Sequence, residues 1–250
     1  MSKVRIGLVS AVAVMACGVW GIAAAQEYDK SFLSDYSKLQ ATPLPNNAGT
    51  DLVYIPPGAF ERLGKYNSVL VDEPEVLISP NSDYKGAKPE DLLAVAQTVR
   101  ADFDGQLTAG GYKVVDAPGP GVLYVKMAVT DLSLKRKKRG ILGYTPIGFV
   151  VKAGADALRD MMQKYDIMGM TIQAEFLDSQ SNEVLAQVVA LRGAVDQSKR
   201  MDFDKLNAAI KDFGSRVRCR LDNAHVSTAE QINCTDPAAR QAREASKSKP

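Results

Sequence analysis

The chain has 250 residues, of which 46% are hydrophobic and 24% are charged, a composition that is ordinary for a globular protein and excludes fibrous and collagen-like classes. Loss of the first 25 residues would remove Lys3 and Arg5 and leave 29 of the 31 basic side chains against 29 acidic ones. A net charge of zero excludes a general electrostatic attraction to nucleic acid, so we expect no nucleic-acid partner.

Residues 1–25 are interpreted as a secretory signal peptide. Lys3 and Arg5 form a basic start, residues 6–22 are apolar and uncharged, and residues 23–25 are three alanines suited to cleavage. A retained transmembrane anchor is the alternative, because the apolar run approaches spanning length. The glycines within it and its small terminal residues favour cleavage before Gln26, and therefore a periplasmic protein.

Cys17 opens a second route for this leader. Residues 14–18, VMACG, loosely resemble a bacterial lipobox, in which the cysteine is acylated and becomes the new N-terminus. Met15 is unusual in that motif, and the apolar run continues beyond Cys17, so we favour cleavage after Ala25. Lipidation of Cys17 would instead anchor the domain to the outer membrane.

The segment after the leader is predicted to be an N-terminal arm and loop over residues 26–50, followed by a domain over residues 51–225. Pro74 interrupts a strand pattern at 68–78, which indicates an edge or bulge position. Pro89 opens a helix whose apolar residues recur at helical spacing. The remaining strands before the centre of the chain are predicted at 51–55, 112–115 and 122–134.

Residues 167–192 predict a hairpin. Met170, Ile172 and Phe176 alternate along the first strand, and the residues from Val184 onward alternate in the same way along the second. The turn is short because Asn182 tolerates a left-handed backbone and the preceding Asp178 can accept hydrogen bonds from turn amides.

A final helix is predicted at 202–224, with Asp202 as its N-cap. Cys219 and Cys234 would share an oxidising compartment and are predicted to form a disulfide, with two free thiols as the alternative. The tail, residues 226–250, has little apolar content and is expected to be tethered by that bond and then disordered. The fold class is therefore α+β, a single domain with a mostly antiparallel sheet and helices on one face.

Several segments together resemble a bacterial envelope family known only as Domain of Unknown Function 3313 (DUF3313), many of whose members look like lipoproteins. The segments that carry the resemblance are FLSDYSKL at 32–39, LVYIPPG at 52–58, YNSVLVDEPEV at 66–76, GYKVVD at 111–116, PGPGVL at 118–123, AEFLD at 174–178 and EVLA at 183–186. The weak lipobox at Cys17 and the presence of Asn182 in place of a turn glycine depart from the family pattern. The resemblance supplies no catalytic residues.

The insert at 133–165 carries the most distinctive local feature. Its basic block consists of Lys135, Arg136, Lys137, Lys138 and Arg139. Such a block attracts anionic lipid headgroups, and the amphipathic pattern of residues 147–162 is compatible with a membrane interface. Alternatively, the block is a solvated strand end and the helix simply covers the sheet.

Enzyme, metal and cofactor functions are not expected. His225 is the only histidine and lacks a nucleophile motif or a second histidine ligand nearby. Glu175 and Asp178 would lie on opposite sides of their strand, which argues against a paired-carboxylate site. We therefore expect a non-enzymatic exported envelope protein with a structural or adaptor role and a protein partner. The alternative is a module that binds an anionic membrane surface or a small ligand through residues 135–162.

Overall fold

The computed structural model describes residues 27–137, 155–192 and 200–247. Within these ranges the strands are β1 Gln40–Pro43, β2 Gly49–Tyr54, β3 Ser68–Val71, β4 Glu75–Ile78, β5 Lys113–Val115, β6 Val122–Arg136, β7 Tyr165–Asp178 and β8 Val184–Arg192. They form one sheet in the order β1-β2-β8-β7-β6-β3-β5, and β4 pairs with the second half of β6. The helices are α1 Ala59–Leu63, α2 Pro89–Ala109, α3 Ala155–Lys164, α4 Phe203–Ala224 and α5 Pro237–Lys247.

The α+β class predicted from the sequence is confirmed, and the sheet is mixed. Four described pairings are antiparallel and three are parallel, the parallel ones joining β3 to β5, β3 to β6 and β4 to β6. Helix α2 lies between β4 and β6 in the chain and provides the crossover that parallel strands require. Pro74 separates β3 from β4, as its lack of a backbone N–H favours.

The hairpin of β7 and β8 forms the centre of the sheet, and its turn has the predicted chemistry. Asp178 Oδ1 accepts hydrogen bonds from the backbone N–H groups of Gln180 and Ser181 at 3.0 and 2.8 Å. Asn182 has a left-handed backbone with φ of 57°. Side chains at alternate positions of both strands enter the main core, including Ile172, Phe176 and Val188.

The two faces of the sheet are covered differently. Helices α1 to α4 bury one face and enclose the main hydrophobic core, in which Phe103 of α2 stacks on Phe213 of α4 with ring centroids 6.4 Å apart. The N-terminal arm covers the other face, where Leu33 packs with Val189 and Leu191 of β8. The arm is therefore part of the folded domain.

The C-terminal segment contains helix α5, which corrects the expectation of disorder after Cys234. The structure contains the Cys219–Cys234 disulfide. Arg240 on α5 is buried, and its guanidinium donates to the carbonyl of Cys234 at 2.5 Å and to the Asp212 carboxylate on α4. The low apolar content of the tail led to the expectation of disorder. Helix α5 is ordered because charge pairs hold it in place of apolar burial.

Candidate anion-binding site at the basic end of the sheet

The end of the sheet where β6 finishes and β7 begins carries the described part of the predicted basic block, and we call it the basic end. Lys135 and Arg136 close strand β6 with exposed side chains, and Lys137 follows directly. The Arg136 guanidinium lies 5.6 Å from the ring centroid of Tyr84. Lys138 and Arg139 lie outside the described residues.

Two cations from distant parts of the chain join this block. Arg159 lies on α3, and Arg200 precedes α4, where the backbone N–H of Met201 donates to the carbonyl of Ile167 at 2.7 Å. That bridge fixes the start of α4 beside the first residues of β7. The result is a hollow of about 250 Å³ lined by Lys137, Arg159, Met162, Gln163, Asp166, Arg200, Met201, Asp202 and Phe203.

Charge within the hollow is only partly balanced. Lys137 Nζ and Arg200 Nη1 both approach Asp166 Oδ1, at 3.5 and 3.6 Å, so one carboxylate serves two cations. Arg159 pairs with Asp156 at 3.6 Å, and its guanidinium lies 4.4 Å from the ring centroid of Phe203. These pairs are partly exposed, so each contributes little to stability. Three cationic and two anionic side chains line the hollow.

Helix α3 covers the sheet. Leu158 and Met161 are fully buried in the main core, and Met162 is 9% exposed. These side chains are therefore unavailable for insertion into a membrane interface. This agrees with the alternative interpretation of the amphipathic pattern, in which the helix covers the sheet. The earlier positions of that pattern, 147 and 151, lie outside the described residues.

A second charged cluster lies in the interior, between β2 and α4. Arg216 makes a bidentate pair with Asp51, with Nε to Oδ2 at 2.9 Å and Nη2 to Oδ1 at 3.0 Å. Arg220 Nη2 reaches the same carboxylate at 2.7 Å, and Arg216 also contacts Asp212. The i, i+4 spacing of Asp212, Arg216 and Arg220 on α4 was the available sequence signal, but it did not identify Asp51 as the partner of the two arginines.

The other polar residues considered from the sequence have structural partners. His225 caps the C-terminal end of α4 with its ring 5.8 Å from that of Tyr112. Asp91 is buried and accepts from Lys164 Nζ at 2.5 Å and from the Tyr165 hydroxyl at 3.1 Å. Within the described ranges, no group of three or more His, Cys, Asp or Glu side chains is arranged to hold a metal ion.

Comparison with known proteins gives one family match. The family described as "Protein of unknown function (DUF3313)" matches residues 28–217. No curated protein matches the chain significantly. A solved structure, the 2.35 Å crystal structure of a minor lipoprotein from Acinetobacter baumannii, aligns over 62% of this chain and 90% of that one, with 10% identity and a TM-score of 0.25. In the described part of the chain, no helix has the length and hydrophobicity needed to cross a membrane.

Proposed function

The chain belongs to the DUF3313 family of unknown function, and from that premise we propose that it is an exported, non-enzymatic adaptor of the Gram-negative envelope that docks on an anionic membrane surface through its basic end. Export is supported by the leader-like residues 1–25 and by the Cys219–Cys234 disulfide, a bond typical of oxidising compartments.

The observation that carries the docking proposal is the convergence of cations from three parts of the chain. Lys135 and Arg136 are exposed, and no carboxylate in the described ranges forms an ion pair with either. Lys137 and Arg200 share Asp166. Near an anionic membrane each basic residue contributes about 1 kcal/mol, so a few uncompensated cations suffice for reversible association.

Vesicle co-sedimentation tests this proposal. The mature protein is mixed at low salt with vesicles that contain either anionic phosphatidylglycerol or only neutral lipid. We expect binding to the anionic vesicles alone, and loss of that binding at high salt because exposed charges are screened. Equal binding to both kinds of vesicle would contradict the proposal.

A charge-reversed variant locates the binding face. Lys135→Glu/Arg136→Glu is expected to weaken binding to anionic vesicles by at least about 30-fold, since two contributions of about 1 kcal/mol are lost. The matched control, Lys65→Glu/Lys113→Glu, changes two exposed lysines away from the basic end by the same charge. The proposal fails if the two variants bind alike.

The adaptor role makes a separate prediction about a protein partner. Deletion of residues 133–165 would remove Leu134, Leu158 and Met161 from the core, so charge reversal is the sharper tool. A partner held elsewhere on the domain should still be recovered with the charge-reversed protein by cross-linking in cells. Loss of the partner together with vesicle binding would show that the partner also requires the basic end, which would contradict a separate partner site.

A further inference from the structure

The N-terminal arm is a self-ordered loop that lies on the outer face of the sheet. The Tyr36 hydroxyl accepts from the backbone N–H groups of Phe32 and Leu33 at 3.0 and 2.9 Å, which folds residues 32–36 around it. The same hydroxyl donates to Gln173 Oε1 at 2.7 Å. A single tyrosine thus organises the arm and joins it to β7.

Beneath the arm lies a groove of polar side chains, which the arm covers in the described part of the chain. Strand alternation places Gln173 and Glu175 of β7 on the outer face, with Gln187 of β8 beside them. All three are at most 4% exposed. Ser34 donates to Glu175 Oε1 through its backbone N–H at 3.1 Å and through its hydroxyl. Gln187 Nε2 donates to both Glu175 Oε1 and Ser34 Oγ, at 2.7 and 3.0 Å.

The upper part of the groove is shaped by an irregularity in β6. The β6–β7 register shifts after Thr130, and Asp131 has a left-handed backbone with φ of 54°. This bulge allows Asp131 Oδ1 to accept the backbone N–H of Asp29 at 3.0 Å. Gln173 Nε2 completes the set by donating to the Asp29 carbonyl at 2.8 Å.

Apolar contacts and a spare acceptor accompany these bonds. Leu33 is buried against Val189 and Leu191, and Lys126 Nζ lies 5.9 Å from the ring centroid of Phe32. Gln187 Oε1 is buried without a hydrogen-bond partner in the described part of the chain. The arm is therefore held by apolar burial as well as by hydrogen bonds.

From this juxtaposition we infer that the outer face of β6, β7 and β8 is a peptide-binding groove that is filled here by the chain's own arm, and that the arm of a second copy of this chain fills it in trans. The residues that bind Ser34 and Tyr36 through their side chains lie on β7 and β8, more than 130 positions away in sequence, so the arm meets them as an N-terminal segment laid across the finished sheet. An identical arm from a second copy reproduces every contact, which makes exchange a low-cost route to a dimer.

A labelled peptide of residues 27–39 tests the groove. The full chain carrying Ser34→Ala/Tyr36→Phe has a weakened arm and an intact groove. We expect it to bind the peptide at least about tenfold more tightly than the unmodified chain does, because its own arm competes less. The control, Ser37→Ala/Tyr124→Phe, makes the same chemical changes without altering a described arm-to-groove contact and should behave as the unmodified chain. A peptide that itself carries Ser34→Ala/Tyr36→Phe should lose binding; equal binding of both peptides would overturn the groove.

Sedimentation tests the second copy, first with the unmodified mature chain and then with the variant. We expect the dimer fraction to rise with protein concentration, and Ser34→Ala/Tyr36→Phe to abolish the dimer because it weakens the arm in both copies. A chain that stays monomeric at every concentration overturns the exchange. Vesicle binding by the basic end is measured in a separate experiment. The outcome of the sedimentation experiment therefore neither supports nor contradicts the docking proposal.

Discussion

At the scale of single residues, Asp51 shows how charge is accommodated in the interior. Its carboxylate is fully buried, and burial alone would raise the pKa of Asp51, but the Arg216 and Arg220 guanidiniums outweigh that effect and hold the pKa below its ordinary value. The carboxylate therefore stays ionised and ties β2 to α4. A buried ion pair of this kind costs more when broken than it contributes when formed.

Asp51→Asn should lower the free energy of unfolding by about 3–5 kcal/mol, because Arg216 would keep its charge in the interior without a full counter-charge. Urea denaturation followed by circular dichroism measures this change. Asp72→Asn, at the edge of the molecule beside Tyr124, is the control and should cost less than about 1 kcal/mol. Equal losses of unfolding free energy in the two variants would contradict a larger contribution from the buried pair of Asp51 and Arg216.

Asp178 predicts an acid dependence. The backbone N–H of Ser181 and the Tyr66 hydroxyl lower the pKa of Asp178 to about 2. Since the folded pKa lies below the unfolded value of about 3.9, the stabilisation is complete above pH ~4 and is lost as the pH falls toward 2. The melting temperature of the Asp178→Asn variant should therefore fall less between pH 6 and pH 2 than that of the unmodified chain. Parallel curves would exclude this role.

At the scale of elements, α5 is the least expected part of the structure. It has little apolar content, yet Arg240 reaches Asp212 and Arg218 contacts Glu244, so charges anchor it to α4. Burial lowers the pKa of Arg240, and the Asp212 carboxylate opposes that shift. The disulfide holds the connecting segment so that these pairs can form.

Cys219→Ser/Cys234→Ser should lower the free energy of unfolding by about 3 kcal/mol, the chain-entropy value for a separation of 15 residues. Amide hydrogen exchange should accelerate most in Pro237–Lys247, because the segment that positions α5 is released. The central hairpin serves as the internal reference. Unchanged exchange in α5 would mean that its ion pairs hold it unaided.

At the scale of the whole molecule, several connections meet at the basic end. Strand β6 and helix α3 finish there, α4 begins there, and the arm enters the sheet at Asp131, a few residues before the basic block. The described domain thus concentrates exposed cations at the end nearest to where its arm begins. That arrangement is compatible with a domain held close to a membrane from its N-terminal side.

Intact mass spectrometry of the secreted protein should find Gln26 at the N-terminus and a mass lower by two hydrogen atoms than that of the reduced chain. The alanines at 23–25 and the apolar run beyond Cys17 favour this cleavage. An acylated Cys17 would contradict it and would place the domain on a lipid anchor. Cysteines that react with a thiol reagent without prior reduction would contradict the disulfide.

Local patterns in the sequence were sufficient for the elements that depend on near neighbours. Alternation predicted β7 and β8, helical spacing predicted α2 and α4, and the N-cap at Asp202 accepts from the backbone N–H of Lys205 as expected. These features follow from backbone geometry over a few residues. The family was also recognisable, because its matching segments are spread in order along the chain.

The sequence by itself therefore determined the fold class, the hairpin and its turn, and the pair of cysteines. Only the tertiary structure decided that Arg159 and Arg200 lie beside Lys137, that Asp51 balances Arg216, and that the arm covers Glu175. The physical reason is that each of these contacts joins residues far apart in the chain through strand register and helix placement. A one-residue change of register would turn the same side chains to the opposite face.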